Sequence, residues 1–284
     1  MFDFFKFIFD GFPENMKYYQ YWDGTTNESS FVDDDIEPIV DNLHLKLNEY
    51  KDRFVKYNWV NDIGNFTPPI YSLNKHGFRT DIEYKNGIPI AIGCSNTFGK
   101  GNHKINTWPD ILSKKINEDI INLGICGGSM DSSYRVLKSY LESYNPGKVF
   151  FLIPNAFRAE YYVRLDEYQP TNVHIQIGPN FHRYDEGEKS KVQKYLFDKI
   201  YSLDESVYLN FHKNLDAIRY LCEKNNIKLV ELLDPCMWNQ DGIMDNSELD
   251  IDKHFSFDLN HFGPEFQEWV SDLFLKKIEN NLEN

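Results

Sequence analysis

From residue 88 onward, short apolar runs alternate with longer stretches of helical periodicity, and this alternation constrains the fold more than any other feature of the chain. The apolar runs are too short for helices and rich in β-branched residues, so they predict buried strands at 88–93, 119–123, 148–153 and 227–232. The stretches with helical spacing are 107–116, 129–143, 188–202, 205–225 and 265–282. The pattern predicts an α/β protein whose parallel central sheet carries helices on both faces.

Residues 1–87 lack this alternation and contain one segment with helical spacing, within 36–57. We therefore expect residues 1–87 to form an N-terminal extension packed on a main domain of residues 88–284. Within the extension, Arg79 has two interpretations. It is either a structural arginine that fixes the segment to the main domain or a clamp for an anionic substrate.

Charge and hydropathy exclude two classes of partner. The 284 residues include 30 Lys and Arg against 44 Asp and Glu, for a formal net charge of −14, whereas a nucleic-acid-binding surface needs a basic patch. No run approaches the roughly 18 apolar residues that a membrane span requires. We therefore expect no nucleic-acid partner and no membrane span, while the sequence sets no oligomeric state.

The N-terminus and the cysteines bear on the compartment. Residues 1–10 are apolar but interrupted by Asp3, Lys6 and Asp10, and no small-residue cleavage site follows, so we expect no signal peptide. The cysteines form no CxxC pair and have no metal-like spacing; they are Cys94, Cys126, Cys222 and Cys236. We interpret them as thiols of a cytoplasmic protein, or of one in another reducing compartment.

Polar residues and glycines follow three predicted strands directly. Ser95 comes after the first strand in the turn Gly93-Cys94-Ser95, Gly127 lies in the loop after the second, and Asn155 follows the third. The carboxyl ends of parallel strands lie along one edge of a sheet, where open α/β folds place their chemistry. These residues are therefore expected to converge.

Asp258 and His261 precede the last helical stretch and have the chemistry to activate a serine. At a spacing of three, both side chains can face the same side of a turn that opens a helix. The carboxylate then accepts from imidazole Nδ1 and leaves Nε2 to take the proton of a serine hydroxyl, which is otherwise a poor nucleophile. The Ser95 N–H, the Gly127 N–H and the Asn155 amide are candidate donors to the oxyanion.

Four short blocks in this order resemble the SGNH hydrolase superfamily, also called GDSL-like esterases and lipases. Gly93-Cys94-Ser95 resembles the first block, the segment from Asn122 to Ser129 the second, Pro154-Asn155 the third, and Asp258-Leu-Asn-His261 the fourth. The resemblance covers about 88–282. It implies a three-layer flavodoxin-like sandwich with a parallel central sheet.

The resemblance also implies an activity. It makes Ser95 the nucleophile, His261 the base, Asp258 its orienting acid, and Ser95, Gly127 and Asn155 the oxyanion donors. The expected reaction is hydrolysis of small-acyl esters, including carbohydrate O-acetyl esters, through an acyl-enzyme and without metal or cofactor. Two blocks depart from the family: Cys94 replaces the Asp of the first block, and the third has Pro154 and Ala156 where Gly and Asp are usual.

Rival assignments stay open at this point. Cys94 is a second candidate nucleophile, and His254 is a second candidate base, although Ile251 rather than an acid lies three residues before it. Ser129 is better suited to capping the helix that follows it. The fold could also serve a non-catalytic binding or structural protein, or an O-acyltransferase in which a sugar hydroxyl replaces water.

The stretch 156–186 is long, polar and aromatic, and it interrupts the strand–helix pattern. Loops of this length in a compact domain are often functional, so we expect either a cap on the substrate side, with a short strand at 173–177, or a packed surface excursion. Arg158, Tyr161 and Tyr162 are the candidate contacts to a small-molecule or carbohydrate ester. Arg158 and Glu160 could instead pair with each other.

Overall fold

The computed structural model describes residues 29–32, 40–61, 65–164, 172–177, 191, 194–195, 198–199, 204–234, 254–259 and 261–280. Its strands are β1 (Ser29–Val32), β2 (Ile70–Leu73), β3 (Ile90–Ile92), β4 (Ile121–Asn122), β5 (Lys148–Ile153), β6 (Ala159–Arg164), β7 (Asn172–Ile177) and β8 (Lys228–Leu233). Its α-helices are α1 (Val40–Glu49), α2 (Lys51–Lys56), α3 (Ser95–Phe98), α4 (Trp108–Ile116), α5 (Met130–Leu141), α6 (Asp204–Lys224) and α7 (Pro264–Asn280).

The central sheet is parallel throughout and has the order β4-β3-β5-β8. Its four strands are the four that the alternation predicts, and β5 has the predicted bounds. The first two are shorter than predicted, because pairing covers only Ile90–Ile92 and Ile121–Asn122. The β5 strand is almost wholly buried, as expected of a strand covered on both faces.

Helices pack on both faces of this sheet and complete a three-layer α/β sandwich. On one face, α4 and α7 pack against the sheet through an apolar cluster that includes Trp108, Phe150, Val270 and Phe274. On the other face, α5 and α6 contribute to a second cluster with Val136, Phe151, Phe211 and Ile218. Because successive side chains of a strand point to opposite faces, Phe150 and Phe151 fill the two clusters separately. The α/β class with a parallel central sheet is confirmed.

The start of α5 is fixed by polar contacts. Ser129 caps the helix, as predicted, by accepting from the Ser132 N–H at 3.2 Å. In the first turn, the Asp131 carboxylate accepts from the side-chain amides of Asn210 and Asn214 on α6. Burial raises the pKa of Asp131, and these amide donors oppose that shift. The pair α5–α6 is therefore joined by hydrogen bonds as well as by apolar packing.

The stretch expected as a cap begins with a two-stranded antiparallel hairpin of β6 and β7. The short strand predicted at 173–177 is confirmed as β7. Near the start of β6, the Glu160 carboxylate binds Arg135 of α5 at 2.7 Å, with both side chains about 5% exposed or less. Residues 165–171, 178–190 and most of the helical stretch predicted at 188–202 lie outside the described residues.

The helices α1 and α2 and the segment after them pack against the loop that precedes α7. Phe54, Trp59, Phe255 and Phe257 form one buried aromatic cluster. The Arg53 guanidinium lies over the Phe255 ring at 4.4 Å and donates two hydrogen bonds to the Glu265 carboxylate. Two separate parts of the sequence thus share one core. No helix in the described ranges has the length and apolar character needed to cross a bilayer.

The Arg53–Glu265 pair yields a pH-dependent prediction. Burial is the largest influence on Glu265 and would raise its pKa, but the hydrogen bond and charge of Arg53 outweigh it and hold the pKa below 4.5. A carboxyl with a lowered folded-state pKa stabilises the fold above its unfolded pKa and loses this contribution as pH falls. In a double-mutant cycle of Arg53→Gln and Glu265→Gln, urea unfolding at pH 7 should give a coupling of about 1 kcal/mol.

The coupling should fall when the same cycle is measured at pH 3–4. The matched control is Arg219→Gln with Glu231→Gln, a pair whose arginine side chain is 49% exposed. Its coupling should be smaller than that of the less exposed pair. Equal coupling for Arg53 and Glu265 at both pH values would contradict the assignment.

Candidate active site

The turn after β3 presents Ser95 at the first position of a short helix. Gly93 has φ of 152°, and a Cβ there would lie 2.3 Å from Thr97 Oγ1 and 2.6 Å from the Leu152 carbonyl oxygen. Only glycine fits this close approach. Ser95 is 3% exposed, and its N–H has no intrahelical acceptor because it begins the helix.

The loop after β4 lies against this turn. The Ile125 N–H donates to the Gly93 carbonyl at 3.0 Å. The Asn122 side chain donates to the Thr97 carbonyl in α3 at 2.8 Å. Gly127 follows in the same loop, half-buried and with φ of 70°. The first two blocks are therefore hydrogen-bonded to each other.

The segment after β5 carries Asn155 and Arg158. Asn155 is half-buried, and its Oδ1 accepts from the Phe157 N–H at 2.7 Å. This contact uses the acceptor atom of the amide and thereby sets the direction of its donor, Nδ2. Arg158 is also half-buried, and its positive charge acts on the Cys94 thiol. Tyr161 and Tyr162 belong to β6, but their side chains lie outside the described residues.

Asp258 and His261 are in direct contact. Asp258 Oδ2 and His261 Nδ1 are 2.8 Å apart, and the His261 N–H donates to Asp258 Oδ1 at 3.1 Å. Ser256 Oγ donates to the same Oδ1 at 2.5 Å. The carboxylate side chain is 7% exposed and the imidazole 27%, so the acid is enclosed while the ring keeps access to solvent. Three donors on one enclosed carboxylate fix its orientation.

The loop that carries Asp258 and His261, together with the start of α7, is hydrogen-bonded to α3 and the residues that follow it. The Phe257 N–H donates to the Gly101 carbonyl at 2.9 Å, and Asn102 Nδ2 donates to the Phe262 carbonyl at 3.0 Å. Gln267, at the start of α7, donates to the Asn96 carbonyl at 3.1 Å. Hydrogen bonds therefore join the segment around the fourth block to the segment after the first block, although more than 150 residues of sequence separate them.

Arg79 supports the same region from the N-terminal side. Its buried guanidinium donates to the carbonyls of Phe98, Gly99 and Asn102, which end α3 and follow it. Burial lowers its pKa to about 10, so the group stays charged at neutral pH. Of the two interpretations of Arg79, the structural one is confirmed. It satisfies carbonyls that a helix end leaves without partners.

The structure does not join every member of the expected triad. Among the described residues, no hydrogen bond links the Ser95 hydroxyl with the His261 ring. Contacts between a nucleophile and its base are often long without substrate and shorten when substrate binds. His254, the rival base, lies in the same loop, where its carbonyl accepts from the Gly263 N–H. Asp258, the acidic residue among the described residues of this loop, contacts the His261 ring.

Sequence reasoning missed Asp234 and Gln267. Asp234 follows β8 directly and is fully buried, and its Oδ2 accepts from Asn96 Nδ2 at 2.8 Å and from Cys94 Sγ at 3.5 Å. A signal for it was present, because an acid at the carboxyl end of a predicted strand meets the same criterion as Ser95. Gln267 offers no comparable signal, since it is one polar residue beside an apolar stripe.

The described residues contain no metal-binding cluster, and the cavity found among them lies away from this site. Within the described ranges, no group of three or more His, Cys, Asp and Glu side chains could hold a metal ion. A cavity of about 860 Å³ lies elsewhere, and its lining includes Asn74, Tyr84, Lys104 and Tyr144 but none of Ser95, Asp258 and His261.

Comparisons with known proteins give similar structures but no matching family. No protein-family model matches the sequence, and no curated protein does. A putative lipolytic protein of the G-D-S-L family from Desulfitobacterium hafniense DCB-2 is 17% identical, covering 66% of this chain and 99% of its own, with a TM-score of 0.28. The psychrotrophic esterase EstA from Pseudoalteromonas sp. is 15% identical, covering 70% and 100%, with a TM-score of 0.34.

A third similar structure, the SGNH-hydrolase family esterase AlinE4, is 16% identical, covering 60% of this chain and 88% of its own, with a TM-score of 0.26. Two of these structures, the lipolytic protein and AlinE4, carry descriptions from the superfamily whose blocks this sequence resembles. At TM-scores below 0.5 they support no conclusion about the activity of this chain. Its function has to be inferred from its own contacts.

The buried thiol gives a prediction about the rival nucleophile. Burial and the neighbouring Asp234 charge raise the pKa of Cys94 to about 11, so almost no thiolate exists at pH 8. We expect iodoacetamide at pH 8 to leave Cys94 unmodified, as peptide mass spectrometry would show. Half-buried Cys126 serves as the internal comparison. Rapid alkylation of Cys94 in folded protein would restore it as a candidate nucleophile.

A second prediction concerns the contact between Gly101 and the acid loop. A Cβ at Gly101 would lie 2.2 Å from Ser256 Oγ and 2.8 Å from Asp258 Oδ1. Gly87 has a similar positive φ but no atom within 4 Å of such a Cβ. Gly87→Ala should destabilise the fold by about 1–2 kcal/mol through backbone strain alone. Gly101→Ala should destabilise it further in urea unfolding, because it displaces Ser256 and Asp258. Equal losses would contradict the close packing at Gly101.

Proposed function

We propose that this protein is a serine esterase that uses Ser95, His261 and Asp258. The observation that carries the proposal is the Asp258–His261 contact of 2.8 Å, in a loop hydrogen-bonded to Gly101 and Asn102, which follow the short helix that begins at Ser95. A carboxylate on Nδ1 selects the tautomer whose Nε2 can accept a proton. Acyl transfer requires a nucleophile and a base, and the Ser95 hydroxyl and the partly exposed His261 ring can supply them.

The reaction begins with attack of Ser95 Oγ on the ester carbonyl. His261 Nε2 takes the hydroxyl proton, while Asp258 holds the ring and stabilises the imidazolium that forms. The tetrahedral intermediate collapses as His261 gives the proton to the leaving alcohol. Water then attacks the acyl-enzyme with His261 again as base, and the acid leaves with Ser95 restored.

Three donors are proposed for the oxyanion. The Ser95 N–H begins α3, the Gly127 N–H belongs to the loop bonded to Gly93, and the Asn155 amide is oriented by its bond to Phe157. Each donor of this kind is worth about 3–4 kcal/mol of transition-state stabilisation. The three come from the ends of β3, β4 and β5, which are neighbours in the sheet.

The proposed substrate is a small-acyl ester, with carbohydrate O-acetyl esters as one class. Support comes from the resemblance of the four blocks to SGNH hydrolases and from the polar, aromatic stretch after Asn155. Arg158, Tyr161 and Tyr162 are proposed to contact the substrate. A reducing compartment and the packing of residues 1–87 as an extension on residues 88–284 remain part of the same proposal.

Fluorophosphonate labelling tests the proposal, because the reagent reacts only with an activated serine. We expect one label, on Ser95 by peptide mapping, together with burst and turnover on p-nitrophenyl acetate. Ser95→Ala should abolish the label and lower kcat by roughly 10⁴-fold or more, and His261→Ala should act similarly. The control is Ser271→Ala, which removes an equally buried serine hydroxyl from α7 and should keep full activity.

Two outcomes would overturn the proposal. Equal activity of wild type and Ser95→Ala would remove the serine mechanism, and absence of any label would favour a non-catalytic binding or structural protein. Acyl transfer to an added acceptor sugar, in preference to water, would identify an O-acyltransferase with the same three residues.

A further inference from the structure

Asp234 is a fully buried carboxylate that contacts the residues on both sides of Ser95. Its Oδ2 accepts from Asn96 Nδ2 at 2.8 Å and from Cys94 Sγ at 3.5 Å. Asn96 is itself 3% exposed and Cys94 is fully buried. The carboxylate therefore joins the turn after β3 to the end of β8, across β5, which lies between them in the sheet.

This carboxylate is not needed to complete the sheet. The main chain of Asp234 continues the pairing with β5 through its own N–H, which donates to the Ile153 carbonyl at 3.0 Å. Burying a carboxylate is unfavourable unless charges and donors compensate it. An apolar side chain at the end of β8 would keep the backbone bond without that penalty. The contacts that the carboxylate adds include those to Asn96 and Cys94.

The surroundings of Asp234 provide compensation for its charge. The amide of Asn96 and the thiol of Cys94 are donors, and a positive charge, Arg158, lies in the segment that follows Asn155. Asp234 and Arg158 act on the Cys94 thiol in opposite directions, since the carboxylate raises its pKa and the guanidinium lowers it. The carboxylate and its two donors therefore lie at the turn that presents Ser95.

Asn96 is held from two sides. Its side chain donates to Asp234, and its carbonyl accepts from Gln267 Nε2 at 3.1 Å. Gln267 in turn accepts from the Trp108 N–H at 2.8 Å through Oε1. The residue after Ser95 is thereby fixed between the end of β8 and the first turns of α4 and α7.

We infer that Asp234 is a positioning residue for the proposed nucleophile: through Asn96 and Cys94 it fixes the turn that directs Ser95 Oγ toward His261. The inference rests on the proposed serine esterase function. It adds a fourth strand end, that of β8, to the three that the catalytic proposal uses. Among the described residues, Asp234 forms no hydrogen bond with the Ser95 hydroxyl or with the His261 ring.

Asp234→Asn tests this role, because it removes the negative charge that Asn96 and Cys94 face and replaces one carboxylate oxygen by an amide nitrogen, which cannot accept a hydrogen bond. We expect kcat on p-nitrophenyl acetate to fall by about 10–100-fold, since misplacing a reacting group by about 1 Å has effects of this size. KM should stay within about twofold, and the rate of fluorophosphonate labelling of Ser95 should fall with kcat. A loss confined to KM would overturn the inference.

A swap variant separates positioning from mere stability. In Asp234→Asn with Asn96→Asp, the carboxylate and the amide exchange places, so that a donor again faces an acceptor across the same gap. We expect the double variant to recover at least tenfold of the lost kcat. No recovery in a folded double variant would overturn the inference. If Asp234→Asn does not fold, Asn96→Ser, whose side chain is one bond shorter, should show the same loss of kcat.

Asp131→Asn is the matched control. Asp131 is also a largely buried carboxylate that accepts from side-chain amides, those of Asn210 and Asn214. Its substitution should lower the unfolding temperature without changing kcat. An unchanged kcat for Asp234→Asn, with Ser95→Ala inactive, overturns this inference alone and leaves the serine esterase proposal in place. A wild type that neither hydrolyses the ester nor takes the label overturns both.

Discussion

The candidate site depends on how the loop before α7 is bonded to the chain that follows Ser95. The Phe257 N–H and the Gly101 carbonyl, 2.9 Å apart, begin this junction, and Asn102 and Gln267 extend it. Without it, the acid and imidazole would remain a pair, but the sheet alone would not determine their distance from the serine. The parallel sheet brings three strand ends together, whereas these few hydrogen bonds hold the fourth block beside them.

Much of the fold follows from local pattern. The four strands and the helices α4, α5, α6 and α7 lie close to where hydrophobic periodicity predicts them, because each is long or apolar enough to signal its own type. The Asp258–His261 contact was also predictable, since a spacing of three constrains both side chains within one turn. Such features depend on neighbours in sequence.

Other features depend on partners that local pattern does not identify. Nothing around Arg53 indicates that it binds Glu265, which lies 212 residues away. Asp234 could have been found by applying the strand-end criterion to the fourth strand as it was applied to the first three. The short antiparallel pair of β1 and β2 was not predicted, since four-residue strands give little periodicity. Long-range pairing and buried polar contacts set the limit of what the sequence alone predicted.

Polar groups are concentrated where the blocks meet. Arg79, Asn122, Asp234 and Gln267 are all buried, and each bonds a main-chain or side-chain group of α3 or of the residues after it. Apolar packing would stabilise this region equally well but would not fix directions. Directional bonds therefore fix the orientation of the turn that carries Ser95.

The aromatic cluster shared by Trp59 and Phe257 has a consequence for biosynthesis. During translation, Phe54 and Trp59 leave the ribosome long before Phe255 and Phe257 exist, so they have no native partners while some 190 residues are added. The contacts between these distant segments close a long loop, which is slow to form. The junction beside Ser95 therefore assembles late, after the strands of the parallel sheet have been made.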